Sequence, residues 1–403
     1  MTSVLRREKR TKLPQSDSKR YALPRDLPKK ARVGFFLVFF ILVALVSRSS
    51  AGIQCEWSGV EKIVAIGDLH GDYQNFVKIL LGTQVVDNNL HWMAGKTHLV
   101  QTGDIPDRGP DARGIFDLLM RLEKEAENAG GMVHALIGNH EELNITGLVF
   151  RYPDYMTVDQ FISFLPDGYR RQKERVLGRM IRNLEAKGQG SQRENLSNEF
   201  WSKLKDDLEA QKEYLVHFDE IYGAWILKHN AVIKINDIIF VHGGISEKYS
   251  LWKIEDINNR LRQELSELAK AAVNPGSTRL VQPEIAYRGD SPLWFRDLAV
   301  VPEEDLKDEV DRILANLGAK VMVIAHTPRI PSIREMRRFE GKVWIIDTGI
   351  SRVYGGRLSA LIIENGDFAI WGEKNEKTDQ PSNPLSDSLL FWPVFFGKIP
   401  VGQ

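Results

Sequence analysis

Residues that could bind metal ions recur in this sequence directly after short apolar runs. They lie in glycine-rich polar loops and are Asp68, His70, Asp104, Asn139, His242 and His326. Carboxylate, amide and imidazole groups suit Mn, Fe, Zn or Mg as ligands. Two divalent cations about 3.5–4 Å apart need one ligand in common, and Asp104 can serve both. The spacing therefore predicts a site for two metal ions.

Each residue of this set also has an ordinary structural alternative. A single histidine is more often a hydrogen-bonded core residue, and a single Gly-Asp pair is more often a turn. The set as a whole favours a metal site, because its members all follow predicted strands and the flanking glycines permit close turns. Further histidines lack this setting, and we interpret them as structural or surface residues: His91, His98, His134, His217 and His229.

The elements between these loops follow an α/β pattern. Between residues 63 and 137, an apolar run leads three times into a polar loop, and helical spacing is clearest over residues 112–129. This order predicts a sheet whose functional loops gather at the carboxyl ends of its strands. Residues 151–230 are charged and favour helices, so we interpret them as a helical insertion.

Within the insertion, helices are predicted over residues 170–186 and 195–218. Strands return at 231–235 and 238–241, and the turn Asn236-Asp237 between them has the chemistry of a two-residue hairpin. Further helices and strands are predicted at 254–273, 303–317, 321–324, 343–346, 358–364 and 368–371.

Composition narrows the functional classes. The chain has 403 residues, 43% of them hydrophobic, which is enough for a sizeable core. Lys plus Arg and Asp plus Glu both number 54, so the bulk charge indicates no nucleic-acid partner. Cys55 is the only cysteine, which excludes an internal disulfide and a thiolate metal cage.

The N-terminal region differs from the rest of the chain. Residues 1–32 are rich in Lys, Arg and Pro and are predicted to be disordered, and residues 33–51 contain an apolar run typical of a signal peptide or membrane anchor. By the positive-inside rule, the remainder is expected on the extracytoplasmic side, in a periplasm or lumen. The protein is thus expected to be secreted, or to associate with the membrane through an uncleaved N-terminal segment. Residues 373–403 are interpreted as a C-terminal tail.

The loops at residues 67–71, 103–109 and 138–141, followed by His242 and His326, together resemble the phosphoprotein phosphatase branch of the calcineurin-like metallophosphoesterases. Finer features resemble the Shewanella-like protein phosphatases: Leu99–Thr102, Asp117–Glu123, His229–Asn236 and Tyr354–Ser359. The resemblance implies a catalytic domain over residues 61–372. Its expected fold is an α/β β-sandwich flanked by helices.

The same resemblance implies roles for individual residues. Asp68 and His70 bind one metal ion, Asp104 binds both, and Asn139, His242 and His326 bind the other. The implied cofactors are two divalent ions, Mn, Fe or Zn. The implied catalytic residues are a phosphate-clamping Arg108, a general acid His140 oriented by Asp107, and a second clamp, for which we choose Arg296 over Arg288. Tyr354 is expected to line the pocket.

The chemistry of these residues predicts an enzyme that cleaves phosphate monoesters. Two cations lower the pKa of water to give hydroxide near neutral pH and hold the ester for in-line attack. The leading hypothesis is a protein phosphatase acting on phosphorylated Ser/Thr or Tyr. One alternative is hydrolysis of dinucleoside polyphosphates or other small phosphate esters. A third hypothesis is a catalytically silent, membrane-tethered binding module.

Overall fold

The structure is a computed structural model that describes residues 53–274, 282–328 and 336–372. The predicted basic segment, the predicted signal peptide or anchor, and the predicted C-terminal tail lie outside the described residues. Within the described ranges, no helix is both long enough and apolar enough to cross a membrane.

Short strands form the centre of the fold. In chain order they are β1 (Glu56–Trp57), β2 (Lys62–Ile66), β3 (His98–Gln101), β4 (Met132–Ala135), β5 (Val232–Ile235), β6 (Ile238–Val241), β7 (Val321–Ile324), β8 (Arg337–Arg338), β9 (Val343–Ile345), β10 (Ser359–Glu364) and β11 (Asp367–Gly372). In the described part of the chain they build a six-stranded sheet, ordered β1-β5-β6-β7-β9-β8, and a five-stranded sheet, ordered β11-β10-β2-β3-β4.

Each sheet contains a parallel group of three strands. These groups are β2-β3-β4 in one sheet and β6-β7-β9 in the other. Parallel neighbours point their carboxyl ends toward the same edge of a sheet. The loops that carry the predicted ligands leave β2, β3, β4, β6 and β7 at these ends, as the sequence pattern predicts.

The two sheets pack against each other through alternate residues. In β2, Ile63 and Ala65 share one buried cluster with Phe240 and Val323 of the opposite sheet. Val64 belongs to the other cluster, which includes the helices. Both faces of β2 are therefore buried, as is usual for parallel strands covered on both sides. The predicted α/β sandwich flanked by helices is confirmed.

The helices surround this sandwich. They are α1 (Tyr73–Gly82), α2 (Ala112–Ala129), α3 (Asn139–Ile145), α4 (Val158–Phe164), α5 (Asp167–Ala186), α6 (Arg193–Lys205), α7 (Leu208–Phe218), α8 (Ala224–Ile226), α9 (Glu247–Ser250), α10 (Ile254–Val273), α11 (Asp297–Val300) and α12 (Glu303–Leu317). A short π-helix at Asp219–Gly223 joins α7 to α8.

The single helix predicted over residues 195–218 is wrong. The chain forms α6 and α7 instead, because Asp206 is the C-cap of the first helix and Asp207 is the N-cap of the second. The side chain of Asp207 accepts a hydrogen bond from the backbone amide of Ala210 at 3.0 Å. Aspartate is among the residues preferred at this position, so the break had a local signal.

Candidate metal centre

The loops at the carboxyl ends of the strands have an unusual backbone conformation. Positive φ angles occur at His70 (43°), Asp104 (57°), Asp107 (72°), Arg108 (66°) and His326 (64°). This left-handed region is uncommon for residues other than glycine, and strained residues of this kind cluster at functional sites. These loops bring side chains from separate strands into one buried space.

The first group of donor atoms comes from Asp68, His70 and Asp104. The Nε2 atom of His70 lies 3.8 Å from Asp68 Oδ2 and 3.8 Å from Asp104 Oδ2, which is too far for a hydrogen bond. His70 Nδ1 is 3.2 Å from the carbonyl oxygen of Pro106. Since a carbonyl only accepts, Nδ1 carries the proton, and Nε2 presents a lone pair toward the two carboxylates.

The second group gathers around His242. Its Nε2 atom lies 2.8 Å from Asn139 Oδ1, 3.1 Å from His326 Nδ1 and 3.2 Å from Asp104 Oδ1. His242 Nδ1 donates to the carbonyl of Thr102 at 2.9 Å, so Nε2 is also a lone-pair donor. Several acceptor atoms thus converge at one place, and this donor set suits a divalent cation of borderline character.

Burial favours the neutral form of the titratable side chains in both groups. It lowers the pKa of His70 to about 3, helped by the positive charge of His140, so the ring is neutral near pH 7. Burial and then the neighbouring Arg296 lower the pKa of His326. For Asp68, burial together with the charges of Asp347 and Asp104 raises the pKa. Cations would relieve this repulsion, so the residues fit a pair of metal ions.

Asp104 faces both groups, because its Oδ2 lies near His70 and His140 while its Oδ1 lies near His242. Its Oδ1 atom accepts from the backbone amide of His140 at 2.9 Å. The carboxylate of Glu141 accepts from the amides of Asp104, Ile105 and Gly138 at 2.9, 2.7 and 2.7 Å. Glu141 therefore joins two ligand loops. The sequence motifs did not indicate this role, although a glutamate three residues into a helix is a known capping signal.

The predicted proton donor lies beside the two groups. His140 Nδ1 is 2.6 Å from Asp107 Oδ2, and its Nε2 faces Asp104 Oδ2 at 3.9 Å. Burial alone would lower the pKa of His140, but the carboxylates of Asp104 and Asp107 outweigh it and the pKa is raised. The ring of Tyr155 stacks on His140 with centroids 5.0 Å apart.

The two candidate arginines have different settings. The guanidinium of Arg108 lies 3.8 Å above the ring of Tyr155. Arg296 donates through Nη1 to the carbonyl of His326 at 2.7 Å and to Thr327 Oγ1 at 3.0 Å. Arg288, the rejected choice, instead pairs with Asp290 at 3.3 Å. Arg296 is thus positioned directly by a ligand loop.

Tyr354 lies at the mouth of this space. Its ring centroid is 5.1 Å from that of His70, and 37% of the residue is exposed. The backbone two residues before Tyr354 is anchored to Asp72. The backbone amide and the Nε of Arg352 both donate to Asp72 Oδ2 at 2.9 Å. Tyr354 therefore borders the metal centre, where the sequence resemblance places it.

Comparison with known proteins assigns the chain to a family. The family model described as calcineurin-like phosphoesterase matches residues 61–329. The chain belongs to the calcineurin-like phosphoesterases. Members of this family use dimetal centres, and Asp104 lies in two groups of side chains that could hold a metal ion. As a calcineurin-like phosphoesterase, the protein is a hydrolase of phosphate esters.

Individual relatives support the branch named by the sequence motifs. The chain is 29% identical over 312 residues to an uncharacterized protein of Schizosaccharomyces pombe, covering 76% of this chain and 78% of that protein. It is 28% identical over 299 residues to Shewanella-like protein phosphatase 1 of Plasmodium berghei, covering 73% and 68%.

A solved structure shares the fold. It is the cold-active protein-tyrosine phosphatase of a psychrophilic Shewanella species, with a TM-score of 0.56 and 23% identity over 79% of this chain and 82% of that one. The comparison confirms the calcineurin-like sandwich of this phosphoesterase.

Three residues around Asp107 lie outside the predicted ligand and catalytic residues, and the sequence pattern did not indicate their role. Gln160 Nε2 donates to Asp107 Oδ1 at 2.7 Å, and Asn144 Nδ2 donates to Asp107 Oδ2 at 2.9 Å. Tyr214 Oη donates to Asn144 Oδ1 at 2.8 Å. Asn144 follows His140 by one helical turn, and this i, i+4 spacing is the only local signal for any of the three.

Proposed function

We propose that this protein is a phosphomonoesterase that removes phosphate from phosphoproteins, using two divalent ions, Mn, Fe or Zn. The observation that carries the proposal is the His140–Asp107 pair, in which Nε2 of His140 faces Asp104, the residue that the two donor groups share. The names of the relatives support phosphoproteins as substrates, since they include a Shewanella-like protein phosphatase and a protein-tyrosine phosphatase.

Different residues of the chain have different roles in this reaction. Bound divalent cations activate water and offset the charge of the phosphate group. The planar guanidinium groups of Arg108 and Arg296 can contact phosphate oxygens in a bidentate manner, which an ammonium group cannot do. Tyr155 supports both Arg108 and His140, because one contacts its ring at 3.8 Å and the other stacks on it. His140 donates its proton to the departing oxygen.

A substrate panel tests the proposed class. We expect the Mn²⁺-loaded chain to hydrolyse phosphoserine and phosphotyrosine peptides with a kcat/KM at least about tenfold above that for free nucleotides or a diadenosine polyphosphate, a difference of about 1.4 kcal/mol in transition-state binding. The Asp104→Asn variant, assayed in parallel, controls for contaminating phosphatases. A higher kcat/KM for the diadenosine polyphosphate would replace the proposal with the small-ester alternative.

The location of the enzyme is a separate proposal, motivated by the basic residues 1–32 and the apolar run after them. We expect the catalytic domain to face the extracytoplasmic side. Right-side-out vesicles treated with protease test this, with lysed vesicles as the control. Digestion of the domain in intact vesicles is the expected result, and its protection there would refute the orientation.

A further inference from the structure

The carboxylate of Asp107 is held by more partners than its bond to His140 requires. It is fully buried. The side-chain amide of Gln160 contacts Asp107 twice: Nε2 donates to the carboxylate oxygen Oδ1 at 2.7 Å, and Oε1 accepts from the Asp107 backbone amide at 2.6 Å. Asn144 Nδ2 and His140 Nδ1 both donate to Oδ2, at 2.9 and 2.6 Å. Both carboxylate oxygens are thus fixed in direction.

A second layer fixes Asn144 in turn. Its Nδ2 also donates to the carbonyl of His140 at 2.9 Å, and its Oδ1 accepts from the hydroxyl of Tyr214 at 2.8 Å. The amide therefore has a single satisfied orientation, with its NH₂ group toward Asp107. The ring of Tyr214 stacks with Phe161 and with Phe218, with centroids 5.7 Å apart in each pair, and this packing restricts movement of its hydroxyl.

These partners come from the helical insertion. Gln160 lies on α4 and Tyr214 on α7, and both are fully buried. Asn144 lies on α3, one turn beyond His140. The hydrogen bonds thus run from the aromatic centre of the insertion through Asn144 to Asp107 and end at the imidazole. A buried polar network with all its members satisfied imposes one arrangement on its residues.

We propose that Gln160 and Tyr214 are positioning residues for proton donation, through which the helical insertion holds the Asp107–His140 pair in its working orientation. The inference rests on the proposed role of His140 as the proton donor. Neither residue contacts the two donor groups, so the effect on the reaction passes through Asp107. A misplaced imidazole penalises most the esters whose leaving oxygen needs the proton most.

The chain offers a matched control for Tyr214. Tyr222 is a second buried tyrosine of the insertion, it packs against Phe164 as Tyr214 does, and its hydroxyl donates to Asp117 at 2.9 Å. Tyr214→Phe and Tyr222→Phe each remove one hydroxyl from the same aromatic cluster. Only the first removes a bond that leads to His140.

The experiment compares two esters in the full-length, Mn²⁺-loaded protein. For Tyr214→Phe and Gln160→Met, we expect kcat for an alkyl phosphate to fall by about tenfold or more relative to kcat for p-nitrophenyl phosphate, as geometry around the acid loosens. KM for the alkyl ester should change little. Tyr222→Phe should leave the ratio of the two rates unchanged, even if it lowers the melting temperature as much as Tyr214→Phe does.

A second readout is independent of turnover. The short Nδ1–Oδ2 hydrogen bond of His140 should give a far-downfield proton resonance in the Zn²⁺-loaded protein, identified by its loss in His140→Asn. It should shift upfield or broaden in Tyr214→Phe and Gln160→Met and stay in place in Tyr222→Phe.

Two results would overturn the inference. An unchanged ratio in both Tyr214→Phe and Gln160→Met, with an intact resonance, refutes the positioning role while leaving the proposed function standing, provided that His140→Asn shows a strong preference for the nitrophenyl ester. If His140→Asn itself shows no such preference, the proton donor is wrongly assigned, and both statements fall together.

Discussion

Replacing Asp104 with asparagine is expected to abolish turnover and lower the metal content while leaving the fold intact. Asp104 takes part in both groups of donor atoms, so the loss of its charge weakens two cation sites at once. Bound cations contribute several kcal/mol to such reactions, and about 1.4 kcal/mol corresponds to tenfold, so the expected loss is about 10³-fold or more. Steady-state kinetics, metal analysis and circular dichroism measure the three effects.

A surface aspartate provides the matched control for this change. Asp237 lies in the turn between β5 and β6, 44% of its side chain is exposed, and it pairs with Lys320 at 2.6 Å. An exposed ion pair contributes little, so Asp237→Asn should keep both metals and full turnover. Retention of both metals and near-normal turnover in Asp104→Asn would show that Asp104 is not the shared ligand.

The sequence predicted the placement of the ligands because each one follows a strand that apolar residues mark clearly. The helix at 112–129 was predicted to the residue, since Asp111 caps its start and Gly130, with φ of 80°, ends it. The Asn236-Asp237 turn was predicted from its chemistry, and Asn236 adopts the required positive φ of 57°. Local rules suffice where the signal lies within a few residues.

The partners of Asp107 could not be predicted in this way. Gln160 lies 53 residues after Asp107, and Tyr214 lies 70 residues after Asn144. Their side chains meet only because the insertion folds around its own aromatic cluster, which places α7 beside both α3 and α4. The sequence identified the insertion as helical but gave no sign of which face would be turned inward.

The choice between Arg296 and Arg288 illustrates the same limit. Both residues lie between the ligand loops of β6 and β7, and composition around them is similar. The two arginines are distinguished by the hydrogen bond that Arg296 donates to the carbonyl of His326. His326 also has a positive φ of 64°, a backbone conformation that no local sequence pattern reveals.

Replacing His140 with asparagine is expected to slow the hydrolysis of phosphoserine or an alkyl phosphate far more than that of a nitrophenyl phosphate, with the metals still bound. Its Nδ1 is tied to Asp107 and its Nε2 faces the donor groups, so the ring is placed to give a proton to the leaving oxygen. General acids contribute about 10²–10⁴-fold, and nitrophenolate leaves readily without one. The ratio of kcat values for the two esters measures this preference.

Two further variants define the cause of that preference. Asp107→Asn should show the same bias more weakly, because the imidazole remains while its orienting carboxylate is lost. His91→Asn removes an exposed histidine paired with Glu125 and should change neither ester. Because His140 adjoins the predicted ligand Asn139, the metal content of each variant must be measured. Equal slowing of both esters, or loss of metal, would show that His140 is a metal ligand or a positioning residue. Another residue would then have to be the general acid.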